Sequence, residues 1–332
     1  MKSTKPRILI LATGGTIAGA ATSSASISSY TSAVTGIDQI VAAVPDIKRV
    51  ADVTGEQVLQ IGSESFNNER LLLLARRVSA AVKSDDVDGV VITHGTDTME
   101  ETAYFLNLCI RSDKPIVLTG SMRPGTALSA DGPLNLLNAV IVSGHRDAAG
   151  KGVLVVMNDE IHSARDVYKS DAFRTDSFLS LYGPLGLVID GSPRFYRLPA
   201  RPHTLRSEFD IDAMTELAPV GVVYTHGNMS RSAYDACVSD GAQAVIHMGF
   251  GGGTVPDYIA PVLAELRQRG VIILRTTRTS GGALSRNGAI DDDANDYVVA
   301  DDQNGPKARL LMALALTKTR DTLEIQRIFW RY

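Results

Sequence analysis

VVITHGTDTMEE, residues 90–101, decides how this chain is read. Val90, Val91 and Ile92 read as the end of a buried strand, and Thr98 to Arg111 as a helix. Between them Thr93, His94, Gly95, Thr96 and Asp97 form a short polar turn at the carboxyl end of the strand. In open α/β sheets that is where ligands bind. A hydroxyl and a carboxylate side by side, next to the N–H groups of a helix start, suit a small charged substrate.

Outward from this stretch the same strand–turn–helix grammar repeats. Residues 8–12 are β-type and run into Thr13-Gly14-Gly15-Thr16-Ile17-Ala18-Gly19. Two adjacent glycines permit a sharp turn with positive φ. The turn lacks the G-x-G-x-x-G spacing and a Gly-Lys-Ser/Thr, so no nucleotide site is expected. Its notable residue is Thr16, a hydroxyl directly after the turn. Residues 20–32, AATSSASISSYTS, have no helical or strand period and read as a lid with one aromatic, Tyr30. Residues 37–44 read as a short amphipathic helix. A strand at 55–62 runs into Ser63-Glu64-Ser65, and residues 67–82 carry a helical stripe of Leu71, Leu74, Val78 and Ala81 with Asn67 or Asn68 as N-cap. A strand at 116–119 ends at Gly120-Ser121, a helix covers 131–143, and a strand covers 152–157. This β-loop-α repeat predicts a mostly parallel sheet covered by helices. Residues 161–169 alternate and fit an antiparallel or edge segment that carries Lys169, and 183–187 and 191–201 look like turns and short strands.

The fold expected is α/β in two domains. The larger N-terminal one, residues 1–205, has a mostly parallel sheet flanked by helices. A linker follows at 206–220, and a smaller parallel-sheet domain at 221–332. Strands are expected there at 221–224, 244–248 and 271–274, with helices at 230–239, 256–269, 308–317 and 322–329 and a Gly-rich turn at 250–254.

A length of 332 residues fits two domains. The net charge of −4 gives no reason to expect nucleic acid or a membrane surface as partner. Cys109 and Cys237, the two cysteines, read as core or semi-buried thiols rather than a disulfide framework. No apolar run reaches the ~20 residues of a transmembrane helix. The basic start leads through a short apolar run into the first glycine turn and reads as a strand, so the chain is expected in the cytoplasm, or in the periplasm if it is a mature form. There is no His/Cys cluster with zinc spacing and no cofactor fingerprint, so neither metal nor cofactor is expected.

Thr16, Ser63, Glu64, Thr96, Asp97 and Ser121 all follow strand ends. In a parallel sheet those ends share one edge, giving one pocket with two threonines, serine and two carboxylates, and Lys169 within call. His94 reads as a structural hydrogen-bonding residue. Threonine needs a neighbouring base to act as a nucleophile. Thr96, Lys169 and Asp97 supply a hydroxyl–amine–carboxylate relay. Backbone N–H groups at the glycine turns suit an oxyanion. The chemistry is acyl transfer on a small polar substrate.

At these residues the sequence resembles the bacterial-type L-asparaginase family, including its glutaminase-asparaginase branch. The long signatures are ATGGTIAG at 12–19 and ITHGTDTMEET at 92–102. Further matching stretches are GSMRP at 120–124, SADGPLNL at 129–136, GVLVVMND at 152–159, ARDVYK at 164–169, YGPLG at 182–186 and KARLLMALALT at 307–317. The resemblance implies hydrolysis of L-asparagine, with L-glutamine as a second substrate, through a threonine-linked acyl-enzyme. It implies that Thr16 attacks the side-chain amide, that Tyr30 of the flap assists, and that Thr96 with Lys169 and Asp97 is the second catalytic group. Ser63, Glu64 and Asp97 would hold the substrate's α-carboxylate and α-amine, and the backbone at Ser121 would face the leaving amide. It implies no cofactor, and a homotetramer in which a neighbour's loop like 251–254 completes each site. Strict asparaginases often carry Gln at the position of Glu64 and Asn at that of Thr254. A neighbour-supplied Glu has no clear counterpart in residues 281–291, where Asn287 and Ala289 stand. These departures point to appreciable glutaminase activity. The rival readings are a glutamine-preferring glutaminase-asparaginase, an ammonia-supplying amidotransferase subunit, which would carry an extra domain, and a binding protein, which would lack Thr16, Thr96 or Lys169.

Overall fold

Strand β1 (Arg7–Gly14) is buried from its second residue to its last, and β3 (Gly89–Thr93) is buried throughout. Apolar runs without alternation are what a strand covered on both faces requires. The computed structural model describes residues 5–332; residues 1–4, with Lys2 of the basic start, lie outside the described residues. The chain divides into two compact units between Ala213 and Met214.

The first unit continues through α1 (Ile37–Ala42), α2 (Ile47–Val50), β2 (Asp52–Ile61), α3 (Asn68–Lys83), α4 (Met99–Cys109) after β3, β4 (Ile116–Thr119), α5 (Gly132–Ser143) and β5 (Val153–Met157). β6 (Glu160–Ser163), β7 (Val167–Lys169), β8 (Phe178–Ser180), β9 (Gly186–Ile189) and β10 (Ser192–Phe195) follow. The main sheet has the order β10-β9-β6-β5-β4-β3-β1-β2. Its β2-β1-β3-β4-β5 part is parallel, and β6, β9 and β10 join antiparallel. The chain passes from β1 outward to β2, then returns across β1 to β3. The order therefore reverses between β1 and β3, and their carboxyl ends open a crevice.

Alternate residues of β1 face opposite layers. Ile8, Ile10 and Ala12 join Val91, Val117, Leu136 and Val140 in one core, with Leu136 and Val140 supplied by α5. Helix α3 buries Leu71, Leu74 and Val78, and Asn67 caps it by accepting from Arg70 N at 2.9 Å. At about 25 cal/mol per Å² of buried apolar surface, layers of this kind are the main favourable contribution to folding.

The segment 161–169 is not one strand. β6 lies in the main sheet, whereas β7 leaves it and pairs only with β8. The break is a turn closed on Ser163, whose hydroxyl accepts from Arg165 N at 3.2 Å and whose carbonyl accepts from Asp166 N at 3.1 Å. At the end of the first unit Phe209 and Ile211 are buried, and Asp212 accepts from Ser79 of α3 at 3.1 Å.

The second unit holds β11 (Val220–Tyr224), α6 (Ser232–Ser239), β12 (Ala244–Gly249), α7 (Ala260–Gln268), β13 (Ile272–Thr277), α8 (Asp292–Asn295), β14 (Val298–Val299), α9 (Gly305–Ala315) and α10 (Thr322–Arg331). Its four strands are parallel, in sequential order. Val223, Val245 and Ile273 pack with Tyr234, Leu263 and Leu266. Cys109 is buried and Cys237 half-buried, both as free thiols. Among the described residues no helix is long and apolar enough to cross a membrane.

Candidate active site

The carboxyl ends of β1 and β3 approach each other through glycine. Gly15 has φ +80°, and a Cβ placed on it would lie 2.4 Å from Gly95 Cα. A Cβ on Gly95 would in turn lie 2.6 Å from Ser63 Oγ. Only hydrogen fits at either place, so the turns after β1, β2 and β3 meet with main chain in contact. The residue after each glycine is a threonine, Thr16 and Thr96.

Both threonines line one cavity of about 250 Å³, with Tyr30, Ser63, Glu64 and Asp97. This is below the roughly 300–1,000 Å³ of sites for drug-sized ligands and suits a small metabolite. Tyr30 reaches Thr16 from the flap, with hydroxyl oxygens 2.7 Å apart. The flap is closed at its neck by a reciprocal backbone pair between Ala20 and Thr31, each 3.0 Å. It is tied to the loop between β4 and α5 by Leu128 N donating to Ser24 O and Ala21 N donating to Thr126 Oγ1.

Thr96 has a different partner. Lys169 Nζ donates to Thr96 Oγ1 at 2.9 Å and to Asp97 Oδ1 at 2.6 Å. Lys169 is 17 % exposed at its side chain, whereas Asp97 is 58 % exposed and faces solvent at the cavity mouth. Ser63 is buried, and its hydroxyl accepts from Asp97 N at 3.0 Å while its carbonyl accepts from Thr98 Oγ1. The Glu64 carboxylate folds back over Gly62, where a Cβ would come within 2.2 Å of Oε1. Two carboxylates therefore stand beside the Thr16–Tyr30 hydroxyl pair and the Thr96–Lys169 contact.

Ser121 does not line the cavity. It is fully buried and its hydroxyl donates to Arg123 O at 2.8 Å. His94 is also fully buried. Its Nδ1–H donates to Gly95 O at 2.7 Å, which leaves Nε2 to accept from Thr102 Oγ1 at 3.0 Å. Burial pushes its pKa down to about 4, against a smaller opposing effect of the Gly95 carbonyl. A neutral ring fixed in this tautomer holds the Gly95 turn and stands behind the cavity wall. Sequence reasoning passed over Ser28 and Ser32, which also line the cavity. They stand two residues either side of Tyr30, so a period of two centred on that aromatic was the available signal. Among the described residues no group of three or more His, Cys, Asp or Glu side chains is arranged to hold a metal ion.

Two groups meet at the cavity, the Thr16–Tyr30 hydroxyl pair and the Thr96–Lys169–Asp97 set, whose lysine lies outside the lining. Hydroxyl nucleophiles with hydrogen-bonded partners suit acyl transfer through a covalent intermediate.

Comparison with known proteins agrees. Residues 7–201 match the family described as Asparaginase, N-terminal, and residues 219–329 the Glutaminase/Asparaginase C-terminal domain. The chain is 55 % identical to the glutaminase-asparaginase of Pseudomonas aeruginosa, covering 98 % of this chain and 90 % of that protein. It is 44 % identical to L-asparaginase 2 of Escherichia coli, covering 98 % and 93 %. A solved structure of a probable cytoplasmic L-asparaginase from Campylobacter jejuni superposes with a TM-score of 0.96 at 42 % identity, covering 99 % of this chain and 100 % of that one. On its two matched domains and its paired threonine site, this chain belongs to the asparaginase family.

Proposed function

We propose that the chain hydrolyses the side-chain amide of L-asparagine to L-aspartate and ammonia, with L-glutamine as a second substrate, and that Thr16 is the nucleophile. The observation that carries this is the pair of partnered threonines in one small cavity at the β1/β3 reversal. Thr16 Oγ1 forms a bond to the amide carbon as its proton leaves through the Tyr30 hydroxyl contact. The C–N bond breaks, and the nitrogen departs as ammonia with that proton. Water then adds to the ester carbon, the bond between that carbon and Thr16 Oγ1 breaks, one proton of the water returns to Oγ1, and the hydroxyl stays on the product carboxyl. Thr96, Lys169 and Asp97 activate that water. The α-ammonium of the substrate lies against Asp97 and Glu64, and its α-carboxylate takes the Ser63 hydroxyl. The backbone beside Ser121 is assigned to the leaving amide on the family resemblance.

Glutamine turnover is supported by Glu64 and Thr254, which stand where strict asparaginases often carry Gln and Asn, and by the name of the Pseudomonas relative. The protein assembles as a homotetramer in which the Gly251–Gly252–Gly253–Thr254 turn of one copy approaches another's site. Light scattering at micromolar concentration should give a tetramer mass, and a monomer with full activity would contradict this. The activity itself is tested by steady-state ammonia release from L-asparagine, L-glutamine and D-asparagine. Turnover of both L-amides is expected. No release from L-asparagine would overturn the reading, and none from L-glutamine would remove its second part.

A further inference from the structure

Lys169 is held at both ends by one short stretch of chain. Its Nζ binds Thr96 and Asp97, and its backbone N donates to Glu100 Oε2 at 2.7 Å. Glu100 is the second residue of α4 and is buried, 8 % exposed. The first turn of a helix favours a carboxylate. Topology explains the use made of it here. β7 lies in a two-stranded sheet with β8, and Ser170 N donates across to Ser177 O at 2.7 Å. Alternate N–H groups of a strand point in opposite directions, so the Lys169 N–H points away from β8. On that side a side-chain carboxylate stands where a sheet would place a carbonyl.

A lysine ammonium sits on a flexible four-carbon stem, and its place is fixed only if its Cα is fixed. β7 has left the main sheet, so the ladder that places Thr96 does not place Lys169. Glu100 closes that gap, since it lies four residues from Thr96 on a rigid helix turn.

We propose that Glu100 is a positioning residue for Lys169, which as a hydrogen-bond acceptor fixes the β7 backbone relative to Thr96 and Asp97. This rests on the Thr96–Lys169–Asp97 role given above. Glu100→Ala removes the acceptor, and a misplacement of about 1 Å costs roughly 100-fold in rate. We expect kcat for L-asparagine to fall roughly 10- to 100-fold with KM within about threefold, and Glu100→Gln, which keeps a carbonyl acceptor, to stay within about threefold of the parent in both. A silent Glu100→Ala, or a Glu100→Gln as damaging as Glu100→Ala, would overturn the proposal. A double-mutant cycle separates positioning from a general structural role. In a Lys169→Met background Glu100→Ala should cost less than about threefold, because no ammonium remains to be placed. A full 10- to 100-fold loss in that background would contradict it. If Glu100→Ala does not fold, Glu100→Gln carries the test, near-parental turnover supporting the proposal and a tenfold loss overturning it. If Lys169→Met itself turns over normally, the Lys169 role fails and this inference with it. If Lys169→Met is damaging and Glu100→Ala is silent, this inference alone fails.

Discussion

At the scale of single residues the proposed nucleophile and its proposed support differ in what each hydroxyl touches. The Thr16 hydroxyl meets another hydroxyl, from Tyr30, whereas that of Thr96 meets an amine that is itself held by a carboxylate. Thr16→Ala deletes the oxygen proposed to attack, without adding volume. It should lose at least about three orders of magnitude in kcat while retaining native circular dichroism. Lys169→Met should be comparably damaging, and a variant at either position with near-normal ammonia release would remove its assigned role. Most of these side chains were legible in the sequence, because a polar residue after a buried apolar run in an α/β pattern has one place to go. Thr16, Ser63, Glu64, Thr96 and Asp97 came from that rule, and Tyr30 from being the lone aromatic in a lid of small residues. Ser121 obeys the same rule yet turns its hydroxyl onto Arg123 O, a local backbone contact that no pattern of residue types encodes. Glu100 was invisible for the opposite reason. Its position in a helix's first turn has an ordinary explanation, and its partner is a backbone N–H 69 residues away.

Elements matter here through the places where they come too close for side chains. Gly15→Ala would set a Cβ 2.4 Å from Gly95 Cα at φ +80°, and backbone must move to relieve it. We expect this variant to lose roughly 100-fold or more in kcat, read by ammonia release, since the shift separates Thr16 from Thr96. The Gly-rich turn at 250–254 is held in a comparable way within the second unit. Arg275, fully buried, donates to Asp292 at 2.6 and 2.7 Å and to Gly253 O at 2.7 Å. Asp292 also accepts from Asn287 N at 2.8 Å, so one ion pair fixes the turn and the 285–292 loop together. Asp292→Ala leaves that guanidinium buried and unpaired, which costs about 3–5 kcal/mol. Urea unfolding should show the loss, and an unchanged midpoint would contradict the reading of the pair as fixed and essential. The sequence offered Arg275 and Asp292 as ordinary charges, because pairing across a sheet layer is set by tertiary register alone. The split of 161–169 into β6 and β7 escaped notice similarly, since alternation continues through the turn at Ser163.

For the whole molecule, burial of histidine makes stability depend on pH. His94 and His247 are pushed from the ordinary 6.5 down to about 4, chiefly by desolvation. Above pH 6.5 both are neutral folded and unfolded, and the contribution to stability is complete. As pH falls from about 6.5 to about 4 the unfolded chain takes up protons that the folded chain refuses, and stability drops by on the order of 3 kcal/mol per histidine. Urea midpoints at pH 7 and pH 4.5 should differ accordingly, and His94→Asn should show a shallower fall than the parent; equal slopes would show that His94 is not the group involved. The two-unit α/β architecture was legible because strand and helix periods alternate along nearly the whole chain. The antiparallel edge of the main sheet was legible in outline, as an antiparallel or edge segment at 161–169 and short strands within 183–187 and 191–201, but the pairing of β9 with β6 and β10 was not, since such short strands carry little periodicity of their own. The most direct test of the whole account is peptide mapping by mass spectrometry after acid quench of enzyme turning over L-asparagine. An aspartyl ester on the peptide containing Thr16, absent from Thr16→Ala, is the expected result. An ester on Thr96 instead, or no ester at all under conditions where ammonia is released, would contradict it.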